Sequence, residues 1–132
     1  MEPVSVKAVI VDRGRVLLLA NDRGEWELPG GRPDPGESET EALAREVDEE
    51  LGVAASIGPR LADEPVEVIP GRFVRIVSYG CEIDGTDGLR LSAEHRDLLW
   101  APLDALGDLP IPAVYRRAIA LWVILGVTFR NP

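Results

Sequence analysis

Val4-Ser5-Val6-Lys7-Ala8-Val9-Ile10-Val11 alternates and then runs apolar, Asp12-Arg13-Gly14 carries turn chemistry, and Val16-Leu17-Leu18-Leu19-Ala20 is a second apolar run. This pattern predicts a β-hairpin. Between Asn21 and Gly36 the alternation gives way to Gly, Pro and Asp. Trp26-Glu27-Leu28 is a short strand-like island there, just before Pro29-Gly30-Gly31. A long glycine-bearing loop inside a small domain is more often functional than idle. Thr40 to Leu51 has helical composition, with Ser38 as N-cap, Glu41 three residues on as the other half of a capping box, and Gly52 as the stop. Strands are predicted at Val53–Leu61, Val66–Ile69, Arg72–Ile83 and Leu98–Ala101, a helical turn at Pro102–Leu106, and a closing helix at Ala113–Leu125. With no repeat, linker or break in composition, residues 1–132 read as one mixed α/β domain.

Charge changes the picture next. Fourteen Lys and Arg against 23 Asp and Glu give a net charge of -9, which argues against general affinity for nucleic-acid backbones or anionic membranes. The acids are not spread evenly: residues 37 to 50 hold seven of them against one base, Arg45. A phosphate ligand would therefore need a cation at that stretch. The longest apolar run, Ala118 to Val127, is about half of the roughly 20 residues that a membrane helix requires. The N-terminus lacks the basic region and apolar run of a secretory signal. The single cysteine, Cys81, lies in a predicted strand, which favours a packing role and a reducing, cytoplasmic setting.

The acidic stretch has chemical spacing. At about 100° per residue, Glu46, Glu49 and Glu50 (i, i+3 and i+4) share one arc of the helix, beside the apolar stripe of Leu43, Ala44, Val47 and Leu51. Glu50 falls at the edge of the buried face, whereas Glu41 and Asp48 face away. Three carboxylates on one patch repel one another unless a cation intervenes. An all-oxygen set suits Mg²⁺, with Mn²⁺ as a substitute. The absence of a Cys pair and the presence of a single His argue against zinc. A Glu-rich helix is also, commonly, just a solvated face. Gly30 and Gly31 permit a close backbone approach that would bring amides near a metal and phosphate.

The ordered set Gly31, Glu37, Arg45-Glu46-Val47, Glu49-Glu50 and Gly52-Val53 resembles the Nudix box over residues 31–53, and the whole chain looks like a small MutT-type Nudix hydrolase. The N-terminal hairpin, Trp26-Glu27-Leu28-Pro29-Gly30-Gly31, and Glu94-His95-Arg96-Asp97 followed by Trp100 stand in family-like order. The resemblance implies an α/β/α sandwich around a mixed β-sheet. It also implies metal-dependent hydrolysis of a nucleoside diphosphate linked to another group X, by attack of water on phosphorus. In that pattern Glu46, Glu49 and Glu50 are the metal ligands, Arg45 orients box carboxylates and Glu37 braces loop and helix. The general base is drawn from Glu49 or Glu94, with His95 adjacent.

Substrate choice is less legible. Arg23, Arg32, Arg72 and Arg75 are candidate phosphate partners, while Trp26, Phe73 and Tyr79 could stack on a base. Alternation puts Phe73 and Arg75 on one face and Arg72 and Val74 on the other. The leading expectation is a small-molecule pyrophosphohydrolase of (deoxy)nucleoside triphosphates, bound through Gly30, Gly31, Arg32, Trp26 and Arg75. The alternatives are an ADP-ribose or nucleotide-sugar pyrophosphatase and a catalytically silent ligand-sensing module. The apolar closing helix is expected to be either deeply packed or the contact of a homodimer, with the dimer favoured.

Overall fold

The structure is a computed structural model that describes residues 2–85, 88–93 and 97–130, the last four by backbone alone. Strands β1 (Val4–Asp12) and β2 (Arg15–Ala20) form the hairpin. Asp12 pairs with Arg15 across a two-residue turn in which both Arg13 (φ 52°) and Gly14 (φ 74°) are left-handed. That geometry matches the twist of the strands it joins. Beyond this turn the two strands part company. Only Val11 and Asp12 of β1 pair with β2; nearer its start, β1 instead takes up β4 (Gly30–Gly31), with Val6 opposite Gly31 and Lys7 opposite Gly30. Strand β3 (Trp26–Glu27) pairs with the far end of β2. Gly30 and Gly31, expected as loop, are therefore ladder residues.

On its other side β1 runs parallel to β6 (Arg72–Ile83), from Val4 opposite Arg75 to Ile10 opposite Cys81. The outer neighbour of β6 is the antiparallel edge strand β5 (Ala55–Ile69). Two short strands were expected in place of β5. The chain stays extended through Gly58-Pro59 and Pro65 because an edge strand tolerates missing amides, and a register shift between Ile57 and Arg60 absorbs Pro59. Strand β7 (Leu98–Pro102) flanks β2 and leads into a single 3₁₀ turn, Leu103–Ala105.

The alternation of β1 sends side chains into two cores. Val6, Ala8 and Ile10 join Leu17, Leu19, Val77, Tyr79 and Cys81 under helix α1 (Glu39–Leu51), which contributes Ala42, Leu43, Val47 and Leu51. On the opposite face Val9, Val16, Leu18, Leu28 and Ile76 pack against Val114, Tyr115, Ala118, Ile119 and Trp122 of helix α2 (Ala113–Arg130). The result is a mixed sheet between two helices. Helix α2 is deeply packed along this stripe. Its ring of Trp122 lies where a side chain on Gly80 would be, since a Cβ there would stand 2.4 Å from it. Cys81 is fully buried and its thiol is pushed up to about 12 by that burial, in keeping with a packing role. Among the described residues no helix is long and apolar enough to cross a membrane.

Candidate active site

Local chemistry fixes the start of α1. Ser38 Oγ accepts from the Glu41 amide (3.1 Å) and Glu41 Oε1 accepts from the Ser38 amide (3.0 Å), the expected capping box. Just upstream, Glu37 Oε1 accepts from the Asp34 amide at 2.8 Å, which folds the Pro33-Asp34-Pro35-Gly36 turn back on the helix. Both Glu37 oxygens then receive the Arg45 guanidinium, Nε at 2.7 Å and Nη2 at 2.9 Å. This bidentate fork, joined by the Asp34 amide, holds the Glu37 carboxyl down to about 2.

Arg45 is the hub of the patch. Its Nη1 donates to Glu46 Oε1 (3.1 Å) and Glu49 Oε2 (3.2 Å), and its Nη2 also reaches the Arg32 carbonyl (3.2 Å). One cation thus lies among Glu37, Glu46 and Glu49. The repulsion expected of clustered carboxylates is relieved in part by the chain itself.

The strand β4 meets this helix at van der Waals range. A Cβ on Gly31 would lie 2.5 Å from Glu46 Oε1, and a Cβ on Gly30 would lie 1.9 Å from the Val6 carbonyl oxygen. Gly30 also has φ 147°, which side chains rarely adopt. Gly30 is therefore required by the neighbouring strand, whereas a side chain at Gly31 would displace the carboxylate end of Glu46. Glu50 completes the contact: its Oε1 accepts from the Gly30 amide at 2.7 Å. Glu50 is only 4 % exposed. Burial pushes its carboxyl up to about 8, with Glu46 and Glu27 adding repulsion and the Gly30 amide and Lys7 opposing it.

As they stand, no three His, Cys, Asp or Glu side chains among the described residues converge tightly enough to hold an ion. The donor chemistry nevertheless fits a hard cation. Glu46 and Glu50 flank one glycine pair, and a buried carboxylate with acidic neighbours is what a divalent ion relieves. The side chain of Glu49 is 57 % exposed, at the outer rim of the same patch.

A cleft of about 490 Å³ opens on the α2 face, lined by Lys7, Arg23, Glu25, Glu27, Arg32 and Tyr115 among others. Arg32 belongs to both, its carbonyl accepting from Arg45 and the residue itself lining the cleft. Arg23, a candidate phosphate partner, also lines the cleft, whereas other residues expected at a substrate are placed elsewhere. Trp26 is half-buried against the α2-side core and is not among those lining this cleft. Arg75 lies on the α1 face, where its Nε donates to Asp63 Oδ1 at 3.0 Å. Tyr79 donates to Glu39 Oε1 at 2.6 Å, a bond that ties β6 to the start of α1. Glu94 and His95 lie outside the described residues. Lys7, Glu27 and Tyr115 were not anticipated. A signal existed for Lys7: it is the chain's sole lysine and stands in the central strand beside the apolar run Ala8–Val11.

Comparison with known proteins agrees with the box. The NUDIX domain family model matches residues 1–122. The CTP pyrophosphohydrolase of Escherichia coli K12 is 34% identical over 113 residues, covering 80% of this chain and 82% of that protein. The 8-oxo-(d)GTP phosphatase of Mycolicibacterium smegmatis is 33% identical over 106 residues, covering 80% of this chain and 30% of its own length. Among solved structures, the MutT NUDIX hydrolase from Burkholderia pseudomallei superposes with a TM-score of 0.78 at 30% identity, over 92% of this chain and 98% of the other. The carboxylate helix, the glycine strand and the matched family model together make this chain a member of the Nudix hydrolase family.

Proposed function

We propose that the chain is a Mg²⁺-dependent nucleotide pyrophosphohydrolase that acts on (deoxy)nucleoside triphosphates by attack of water on phosphorus. The observation that carries the reading is the seating of Glu46 and Glu50 on Gly30–Gly31, in a fold that also holds, on its α2 face, a cleft large enough for a nucleoside. The names of the E. coli and M. smegmatis relatives, a CTP pyrophosphohydrolase and an 8-oxo-(d)GTP phosphatase, support the substrate class.

Glu46 and Glu50, with Glu49, would hold the divalent ion, which when bound neutralises phosphate oxygens and acidifies water. The chain's own residues do the positioning. Arg45, fixed by Glu37, holds Glu46 and Glu49 toward β4, and Arg32, in the cleft lining, offers a guanidinium. Glu49, at the solvent rim, is the described carboxylate best placed to take a proton from the attacking water. In-line hydrolysis needs orientation and charge neutralisation more than covalent chemistry.

The test is a screen of ribo- and deoxyribonucleoside triphosphates, oxidised nucleotides, ADP-ribose and nucleotide sugars with Mg²⁺, with products resolved. Triphosphate cleavage to a monophosphate and pyrophosphate is expected. Turnover confined to ADP-ribose or nucleotide sugars, yielding two phosphomonoesters, would replace this reading.

A further inference from the structure

The α2-side cleft contains a buried cation. Thirteen of the chain's fourteen Lys and Arg residues are arginine; the single lysine is Lys7, in the central strand and only 6 % exposed. An ammonium is strongly hydrated, and burying it is costly unless its protons are used. Here Nζ donates to the Leu28 carbonyl at 3.2 Å and stands 5.7 Å from the centre of the Tyr115 ring. That bond uses one of three protons. Lys7 also lines the cleft, and in the ladder it is opposite Gly30, whose amide binds Glu50. Lys7 is thus a ladder neighbour of the strand that seats Glu50.

The lining decides what enters. The lining carries three acids, Glu25, Glu27 and Glu67, against three cations, Lys7, Arg23 and Arg32, together with apolar Val74, Ile76 and the Tyr115 ring. A polyphosphate therefore gains no net attraction from this wall. A neutral flat ring needs none. Its apolar faces match the aliphatic and aromatic wall, and its polar edge meets a buried donor, Lys7. That is the complement of a heterocycle bearing a carbonyl oxygen.

We propose that Lys7 is a specificity-determining residue that donates to a carbonyl oxygen of the substrate's nucleobase in this cleft. The assignment rests on the nucleotide pyrophosphohydrolase reading above. A site built to hydrogen-bond a carbonyl discriminates strongly against a base that lacks it, because the buried donor is then left without its partner.

The experiment compares triphosphates that differ only in one carbonyl, inosine against purine riboside and uridine against 4-deoxyuridine, in the wild type and in Lys7→Met. The wild type is expected to show at least about a tenfold KM advantage for the carbonyl-bearing member of one pair or more. That advantage should shrink below about threefold in K7M. An unchanged preference in K7M, or a loss of kcat on all substrates alike, overturns the proposal, the latter because Lys7 would then act only on the fold or the carboxylate patch. No turnover of any triphosphate by the wild type would instead sink the function proposed above. Should K7M fail to fold by circular dichroism, the wild-type protein carries the test. With its one lysine ¹³C-labelled at Cε, the resonance should move on adding 10 mM inosine monophosphate and stay within linewidth on adding ribose 5-phosphate. Equal movement with both, or none with either, overturns the assignment.

Discussion

Glu50 shows how a single side chain can serve chemistry at the expense of stability. It is a carboxylate in a nearly dry position, and its folded value of about 8 lies above the ordinary 4.5. Without metal, ionisation therefore opposes folding as pH rises from about 4.5 to 8. Glu50→Gln keeps an oxygen that can accept from the Gly30 amide and removes that cost. The variant should lose about a hundredfold or more of Mg²⁺-dependent turnover, yet melt higher than the wild type in EDTA at pH 8, as thermal unfolding by circular dichroism will read. Wild-type turnover in E50Q would remove this helix from the mechanism. Glu37 has the opposite sign. Its carboxyl is held near 2 by the Arg45 fork, so its contribution is complete above about 4.5 and is lost as pH falls through about 2. Glu37→Gln should accordingly lower the melting temperature at pH 7, with the gap to wild type closing at the acid end. Cys81 tests burial directly: in native protein it should resist a thiol-reactive dye for hours, and react in stoichiometric amount within minutes in denaturant.

Strand β4 is only two residues long, yet it carries the contact between sheet and carboxylate helix. Gly30→Ala would put a methyl group into the Val6 carbonyl, in a backbone conformation unsuited to alanine. Loss of fold as well as activity is expected, on the scale of several kcal/mol. Circular dichroism and turnover together distinguish this from a purely catalytic defect. The elements differ in how readily the sequence discloses them, and the reasons are physical. The hairpin and α1 were readable because their ends are local: Arg13-Gly14 makes one turn, and Ser38, Glu41 and Gly52 make both caps. β5 was not, because Pro59 and Pro65 are breakers by local rules and are acceptable only at an edge, which is a tertiary fact. The motif likewise placed Glu37, Arg45, Glu46 and Glu50 near one another, and the structure brings them around β4. Side-chain partners from distant strands stayed hidden: alternation assigned Arg75 a face, but not Asp63 as its counter-ion.

At the scale of the molecule, the two cores divide the work. One seats the carboxylate helix; the other, built on α2, walls the cleft. The packing of Val114, Tyr115, Ala118, Ile119 and Trp122 accounts for much of the apolar character of α2, which leaves Leu121 and Ile124 exposed. Among the described side chains, those two are the large exposed apolar ones that a homodimer through this helix could use. If light scattering gives a dimer mass, Ile124→Asp should return it to that of a monomer; a dimer that survives the substitution uses another surface. The long edge strand narrows the choice of that surface. With Pro59 and Pro65 interrupting its amides and Arg60 and Asp63 spacing charge along it, β5 is a poor template for another chain to extend by main-chain pairing. The sheet is closed to open-ended growth on this side, and a protein crowded with copies of itself is protected there from fibril formation by the same residues that obscured the strand.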